Sequence, residues 1–392
     1  MRLVVGFLTS IFVSLSGVLA QPDLGLEYGS YAVGFRSYHF VDDSRDVCPD
    51  EVEACEVSGR PLRVFLWYPA VEDTGAPMKL GDLAEIGGSP TEYVEFNDFQ
   101  NNRIIRAFSG QFFFEQVEEE KTKKAEALRA TKMKSSKAGE DAEGKFPLLI
   151  HAVGSGSHQM EFTFLWEYLA SHGYIVAVPG QFGEDITSTG VRFDNGSVQG
   201  VAEDLLFVES QLLEKGIAID KNKIGYMGHS WGSVPAVSAS LQHKQHPPVV
   251  MLDGSVNNQR GAAFIKESPI FDGDGRDLNM LNLMTTRRDD LDSSGLERFD
   301  QASIRSWRVH DGSHFDFQNW GILMNIFGDT GSPALGKRSV ERGAAIGLSA
   351  IRLTKDFFDL TLRGDEKALE NIERGYDLKS GDTVYVEQLP AN

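Results

Sequence analysis

Cysteine is nearly absent: Cys48 and Cys55 are the only two in 392 residues. They lie in one acidic loop with no histidine beside them, which makes a poor zinc site. In an oxidising compartment the favoured reading is a disulfide that closes this loop, with two free thiols as the alternative. Positive charge is also scarce. Lys and Arg number 38 against 57 Asp and Glu, for a formal charge of −19. That balance argues against nucleic acid as a partner, because phosphates need a basic face. It says little about neutral small molecules. Beyond residue 20 no stretch is long and apolar enough to span a bilayer, and no internal repeat is visible.

The first 20 residues have the pattern of a secretory signal. Arg2 supplies a positive start, Leu3 to Val13 are mostly apolar, and Val18-Leu19-Ala20 is a small-residue cleavage site. Thr9, Ser10, Ser14 and Ser16 interrupt the apolar run, which argues against an uncleaved anchor. A secreted or periplasmic protein is therefore expected, with residues 1–20 removed and 21–392 forming a single domain. Asn195-Gly196-Ser197 is a glycosylation sequon, meaningful only in a host that glycosylates.

The rest of the chain alternates strand and helix patterns. Tyr31 to Val41 and Pro61 to Tyr68 read as two early antiparallel strands joined through the cysteine loop. Gln111 to Lys134 reads as a helix. Its acids come early and its bases late, as the helix dipole favours, and Glu119–Lys123 and Glu120–Lys124 are spaced as i,i+4 pairs. With the polar stretch Ser135 to Lys145 it forms a charged insertion at about 111–145. It is read as a solvated helix, with Phe112, Phe113 and Phe114 as the apolar edge if it serves as a lid. From Phe146 onward strands are expected at 147–153, 173–178, 248–252, 278–284 and 304–309. Helices are expected at 160–172, 198–215 and 342–362. Such alternation predicts a mostly parallel sheet with helices on both faces, with sites at the carboxyl ends of strands.

One stretch carries chemistry. An apolar strand ends in Gly228-His229-Ser230-Trp231-Gly232 and is followed by the small, apolar Ser233 to Ala239. Strand, sharp turn and helix around Gly-x-Ser-x-Gly make a nucleophile elbow, with Ser230 as the nucleophile. A serine hydroxyl needs a base, and the base needs a carboxylate to hold its tautomer. His314, in the loop Asp311-Gly312-Ser313-His314 after a strand, is the favoured base. His310 is more readily placed inside the strand, and His243 and His246 at the end of the elbow helix. For the acid, Asp253 ends one buried strand while Asp289 and Asp290 follow the next; position alone does not choose between them. The oxyanion hole needs two backbone N–H groups. These are expected from Trp231, directly after the nucleophile, and from Ser155 in the turn Gly154-Ser155-Gly156.

These stretches resemble the platelet-activating-factor acetylhydrolase family of secreted α/β-hydrolases, and more distantly the dienelactone-hydrolase-like proteins. The resemblance runs over roughly residues 60–365. It is carried by the strand ending Trp67-Tyr68-Pro69-Ala70, by Phe146 to Ile150, Leu169 to Ala177, Gly228 to Gly232, Leu252-Asp253 and His314-Phe315-Asp316-Phe317. It implies an α/β-hydrolase fold, Asp253 as the acid, and Ser155 and Trp231 as oxyanion donors. It also implies calcium-independent, phospholipase A2-like hydrolysis of short or oxidised acyl esters without metal or other cofactor. A small ester or phospholipid substrate and transient contact with a lipid surface follow. The chain departs from the family at Val153-Gly154-Ser155-Gly156, where His-Gly-x-Gly is usual, at Pro179-Gly180-Gln181, where Glu-His is frequent, and at Ser233, where glycine is common. Competing readings keep the triad for polyester, lactone or peptide bonds, or make the scaffold a non-catalytic binding protein.

Overall fold

The computed structural model describes residues 23–45, 59–72, 74–86, 118–180, 192–272, 275, 277–285, 290–328, 339–376 and 388–389. The signal-like start, both cysteines, Phe112 to Phe114 and Asp289 lie outside the described residues.

The described strands form one sheet. They are β1 (Ala32–Asp42), β2 (Arg60–Ala70), β3 (Ala76–Lys79), β4 (Lys132–Lys137), β5 (Phe146–Ala152), β6 (Ile175–Pro179), β7 (Ile219–His229), β8 (Val249–Leu252), β9 (Asn279–Thr285), β10 (Ser303–Val309) and β11 (Gln388–Leu389). Their order is β11-β10-β9-β8-β7-β5-β6-β2-β1-β4-β3. The block β6-β5-β7-β8-β9-β10 is parallel throughout. β1 and β2 pair antiparallel to each other, and β2 antiparallel to β6, as the early hairpin pattern predicts. The helices are α1 (Glu118–Ala130), α2 (Thr163–Ser171), α3 (Asn195–Glu214), α4 (Ser233–Gln242), α5 (Gln259–Glu267), α6 (Asn319–Ile326), α7 (Val340–Arg363) and α8 (Lys367–Arg374).

Alternation along the strands divides the core in two. Phe65, Trp67, Leu149, Val176, Val178 and Met227 face one cluster, to which α2, α6 and α7 contribute. Val64, Leu66, Leu148, Ile150, Ala177 and Tyr226 face the other, filled by α3 and α4. Successive side chains of a strand point to opposite faces, so a strand buried on both sides must be apolar throughout. The stripe Val201, Leu205, Val208 and Leu212 of α3 is fully buried, each side chain contributing roughly 1.5–3 kcal/mol.

The charged insertion differs from the expected single helix. Its helix ends at Ala130, and Lys132–Lys137, expected to continue it and lead into a linker, is strand β4. β4 pairs parallel to β1 and antiparallel to β3. Met133 and Ser135 turn inward and their neighbours outward, a period of two hidden inside a lysine-rich run. The expected Glu119–Lys123 pair forms at 2.6 Å on the exposed face of α1. Among the described residues no helix is long and apolar enough to cross a membrane.

Candidate active site

The order of strands reverses at β5. The chain leaves β5 toward β6 on one side and returns to β7 on the other. Their carboxyl ends therefore lie at a topological switch point, the usual place for a site in such sheets. Ser230 stands directly after β7 with φ +52°, a left-handed conformation that costs a non-glycine residue on the order of 1–3 kcal/mol. The flanking glycines show why no larger residue fits. A Cβ at Gly228 would lie 2.3 Å from the Ser233 Cα, and one at Gly232 would lie 2.2 Å from the Ala152 carbonyl oxygen at the end of β5. Ser233, where the resembled family commonly has glycine, donates its hydroxyl to the Ser230 carbonyl at 2.8 Å and so braces the turn.

The turn after β5 is pressed against this elbow. A Cβ at Gly154 would come 3.0 Å from the Ser230 Cβ. The turn is closed by the Ser157 N–H donating to the Gly154 carbonyl at 3.1 Å, with Gly156 at φ +71° in its third position, where a left-handed residue is required. Ser155 is exposed at the tip of this turn. Trp231 is buried, and its indole N–H donates to the Arg192 carbonyl at 3.3 Å.

Of the two candidate acids among the described residues, Asp253 and Asp290, Asp253 is brought to the histidine. Asp253 follows β8 with φ +42°. Its Oδ2 lies 2.6 Å from His314 Nδ1. Its Oδ1 accepts the backbone N–H of Thr285 at 2.7 Å and the Thr285 hydroxyl at 3.1 Å. The carboxylate side chain is 2% exposed and the imidazole 30%. Asp290 instead receives the Gln259 N–H on its backbone carbonyl. Both Asp253 oxygens are thus occupied, and a carboxylate bonded to Nδ1 leaves His314 Nε2 as the free face of the ring.

His314 opens a short 3-10 turn, His314–Phe317, that is locked at its start. Asp316 Oδ2 accepts the Ser313 N–H at 2.7 Å, and the Asp316 N–H donates back to the Ser313 carbonyl at 2.9 Å. Arg342 of α7 grips Asp311 through Nε and Nη2 at 3.0 and 3.1 Å, tying the loop to the helix layer. His310, expected within the strand, lies just past the end of β10 and is exposed. His243, just after α4, pairs with Glu209 at 3.1 Å.

The sequence reading had no place for Thr285, His229 or Gln318. Thr285 ends the strand beside β8, so its position was a usable signal. His229 is the residue before Ser230; its ring lies 4.5 Å from that of His314. Gln318 reaches both Glu161, at 2.8 Å, and His229, at 3.4 Å. Ser230 Oγ makes no hydrogen bond to His314 among the described residues. Such bonds are often long without substrate and tighten when it binds. Among the described residues no group of three or more His, Cys, Asp or Glu is placed to hold a metal.

A family model described as chlorophyllase matches residues 111–253, less than half of the chain, which takes in Ser230 and Asp253 but stops short of His314. No curated protein matches the chain. Among solved structures, a ferulic acid esterase from Streptomyces cinnamoneus is similar at 23% identity and a TM-score of 0.59, covering 87% of this chain and 93% of its own. A puromycin-hydrolysing peptidase from Mycobacterium tuberculosis is similar at 14% identity and a TM-score of 0.45, covering 83% of this chain and 39% of its own. Strand order, elbow and structural likeness agree on one architecture: the chain has the α/β-hydrolase fold.

Proposed function

We propose that this protein is a serine-dependent carboxylic ester hydrolase. Ser230 Oγ attacks the ester carbonyl while His314 Nε2 accepts its proton. Asp253 holds His314 in the Nδ1–H tautomer and stabilises the imidazolium. The N–H groups of Ser155 and Trp231 receive the developing oxyanion. The tetrahedral intermediate collapses as His314 returns the proton to the leaving alcohol. Water, deprotonated by the same imidazole, then releases the acid from Ser230. The observation that carries this reading is the 2.6 Å bond from His314 to an acid buried at the end of β8, one strand away from a strained serine at the end of β7. The match to a chlorophyllase model and the likeness to a protein named an esterase fit an ester as substrate.

Short or oxidised acyl esters, including those of phospholipids, are the finer substrate class. It rests on the resemblance to platelet-activating-factor acetylhydrolases read from the sequence, as does action at a lipid surface after export. The experiment is replacement of Ser230 with Ala, followed by ester turnover and labelling with an organophosphonate. Turnover should fall by about a millionfold and labelling should vanish, with the melting transition retained. Full turnover by this variant would remove the serine mechanism. A panel of p-nitrophenyl esters of rising chain length, with lactone, polyester and amide competitors, then sorts the substrate classes. Preference for an amide would replace the esterase reading with a peptidase one.

A further inference from the structure

The base is held by a single bond from Nδ1, and its ring is partly open to solvent. One bond leaves an imidazole free to rock about that contact, and proton transfer tolerates little misalignment. A second support is present. The ring of His229 lies 4.5 Å from that of His314 with their planes tilted by 30°, close to a stacked pair. His229 is only 1% exposed, so it has no route to a substrate. Behind it comes Phe162 at 5.1 Å, then His151 at 4.7 Å from Phe162. His151 Nδ1 accepts the Trp166 indole N–H at 2.9 Å. The His229 ring is thus backed by aromatic rings in the core. At its edge the Gln318 amide nitrogen, which also donates to Glu161 Oε2, faces His229 Nδ1. This contact, at 3.4 Å, fixes the edge of the His229 ring against the Gln318 amide.

We propose that His229 is a positioning residue for His314. Its ring face limits the swing of the base and attracts the imidazolium that forms when the base takes the Ser230 proton. Because His229 is joined to Ser230 through the backbone, the nucleophile and the support for its base move together. The role rests on the esterase reading, but its geometry can be probed separately. His229→Phe retains a ring, and His229→Leu fills similar space without one.

In the full-length protein, the Leu variant should lose on the order of tenfold in kcat, with KM unchanged, and label with organophosphonate correspondingly slowly. The Phe variant should stay within about twofold of the parent on both counts. In proton NMR spectra the low-field resonance of the His314 Nδ1 proton should broaden in the Leu variant and persist in the Phe variant. The parent should show a cross-peak between the two imidazole rings, which needs no variant to fold. Equal kcat in the two variants, a change in KM instead of kcat, or no ring-to-ring cross-peak in the parent would overturn the proposal. Resonances behaving as stated in a protein that cleaves no ester would support the positioning role and overturn the esterase reading alone.

Discussion

Ser230 and Asp253 share an uncommon property: both are non-glycine residues with positive φ, and both stand one residue beyond a parallel strand. A side chain at the end of a parallel strand is already at the switch-point edge of the sheet, and the left-handed turn aims it there instead of along the sheet. Aspartate tolerates this conformation because its short polar side chain can bond locally, and asparagine does so equally well. Asp253→Asn should therefore fold normally and fail chemically. The amide cannot hold His314 in the required tautomer, and kcat should fall by about four orders of magnitude. Asp290→Asn should change kcat by less than about twofold, as surface substitutions away from a site do. Steady-state kinetics of the pair with one p-nitrophenyl ester decides it, since a large loss in the Asp290 variant would move the acid. Thr285→Val keeps the backbone N–H to Asp253 Oδ1 and removes the hydroxyl bond. A loss of about tenfold in kcat is expected, the worth of one bond to a charged group.

Elements were legible in the sequence where local pattern and tertiary fate agree. The apolar runs of β5, β6 and β8 and the stripe of α3 are buried as their spacing demands. β4 was not legible, because Lys-Met-Lys-Ser-Ser-Lys has weak strand propensity and continues the charge rhythm of α1. What makes it a strand lies far away in the chain. Glu167 of α2 is buried and accepts both the backbone N–H of Ser135, at 2.7 Å, and its hydroxyl, at 2.6 Å. Burial pushes the Glu167 carboxyl up from 4.5 to about 7, although the Ser135 bonds oppose the shift. The unfolded chain releases this proton first, so between roughly pH 4.5 and 7 the folded state binds more protons than the unfolded. This contribution is therefore complete below pH 4.5 and is lost as pH rises through 7, by about 3 kcal/mol in all. Glu167→Gln has no proton to lose. Urea midpoints at pH 5 and pH 8 should show the parent falling relative to the Gln variant. Parallel behaviour of the two proteins would mean that Glu167 does not titrate in this window.

At the scale of the whole molecule, the sheet brings together a candidate site from residues scattered between positions 154 and 318. Chain order and strand ends pointed to Ser230 and His314 as candidates. The preference for Asp253 over Asp289 and Asp290 came from family resemblance; among the described residues Asp253 is the carboxylate bonded to His314. The place of the His229 ring beside His314 could not be read, because a residue buried inside a motif announces no direction. The overall charge of −19 adds one property that no single residue holds. A negative field slows the approach of anionic substrates, leaves neutral ones indifferent, and weakens as salt shortens the Debye length from about 30 Å at 0.01 M to about 8 Å at 0.15 M. The value of kcat/KM for an anionic ester such as p-nitrophenyl hemisuccinate should therefore rise a few-fold, roughly two to five times, over that range of salt. The value for p-nitrophenyl acetate should stay level. If both esters respond alike, the acidic surface does not reach the site, and the charge serves solubility instead of substrate approach.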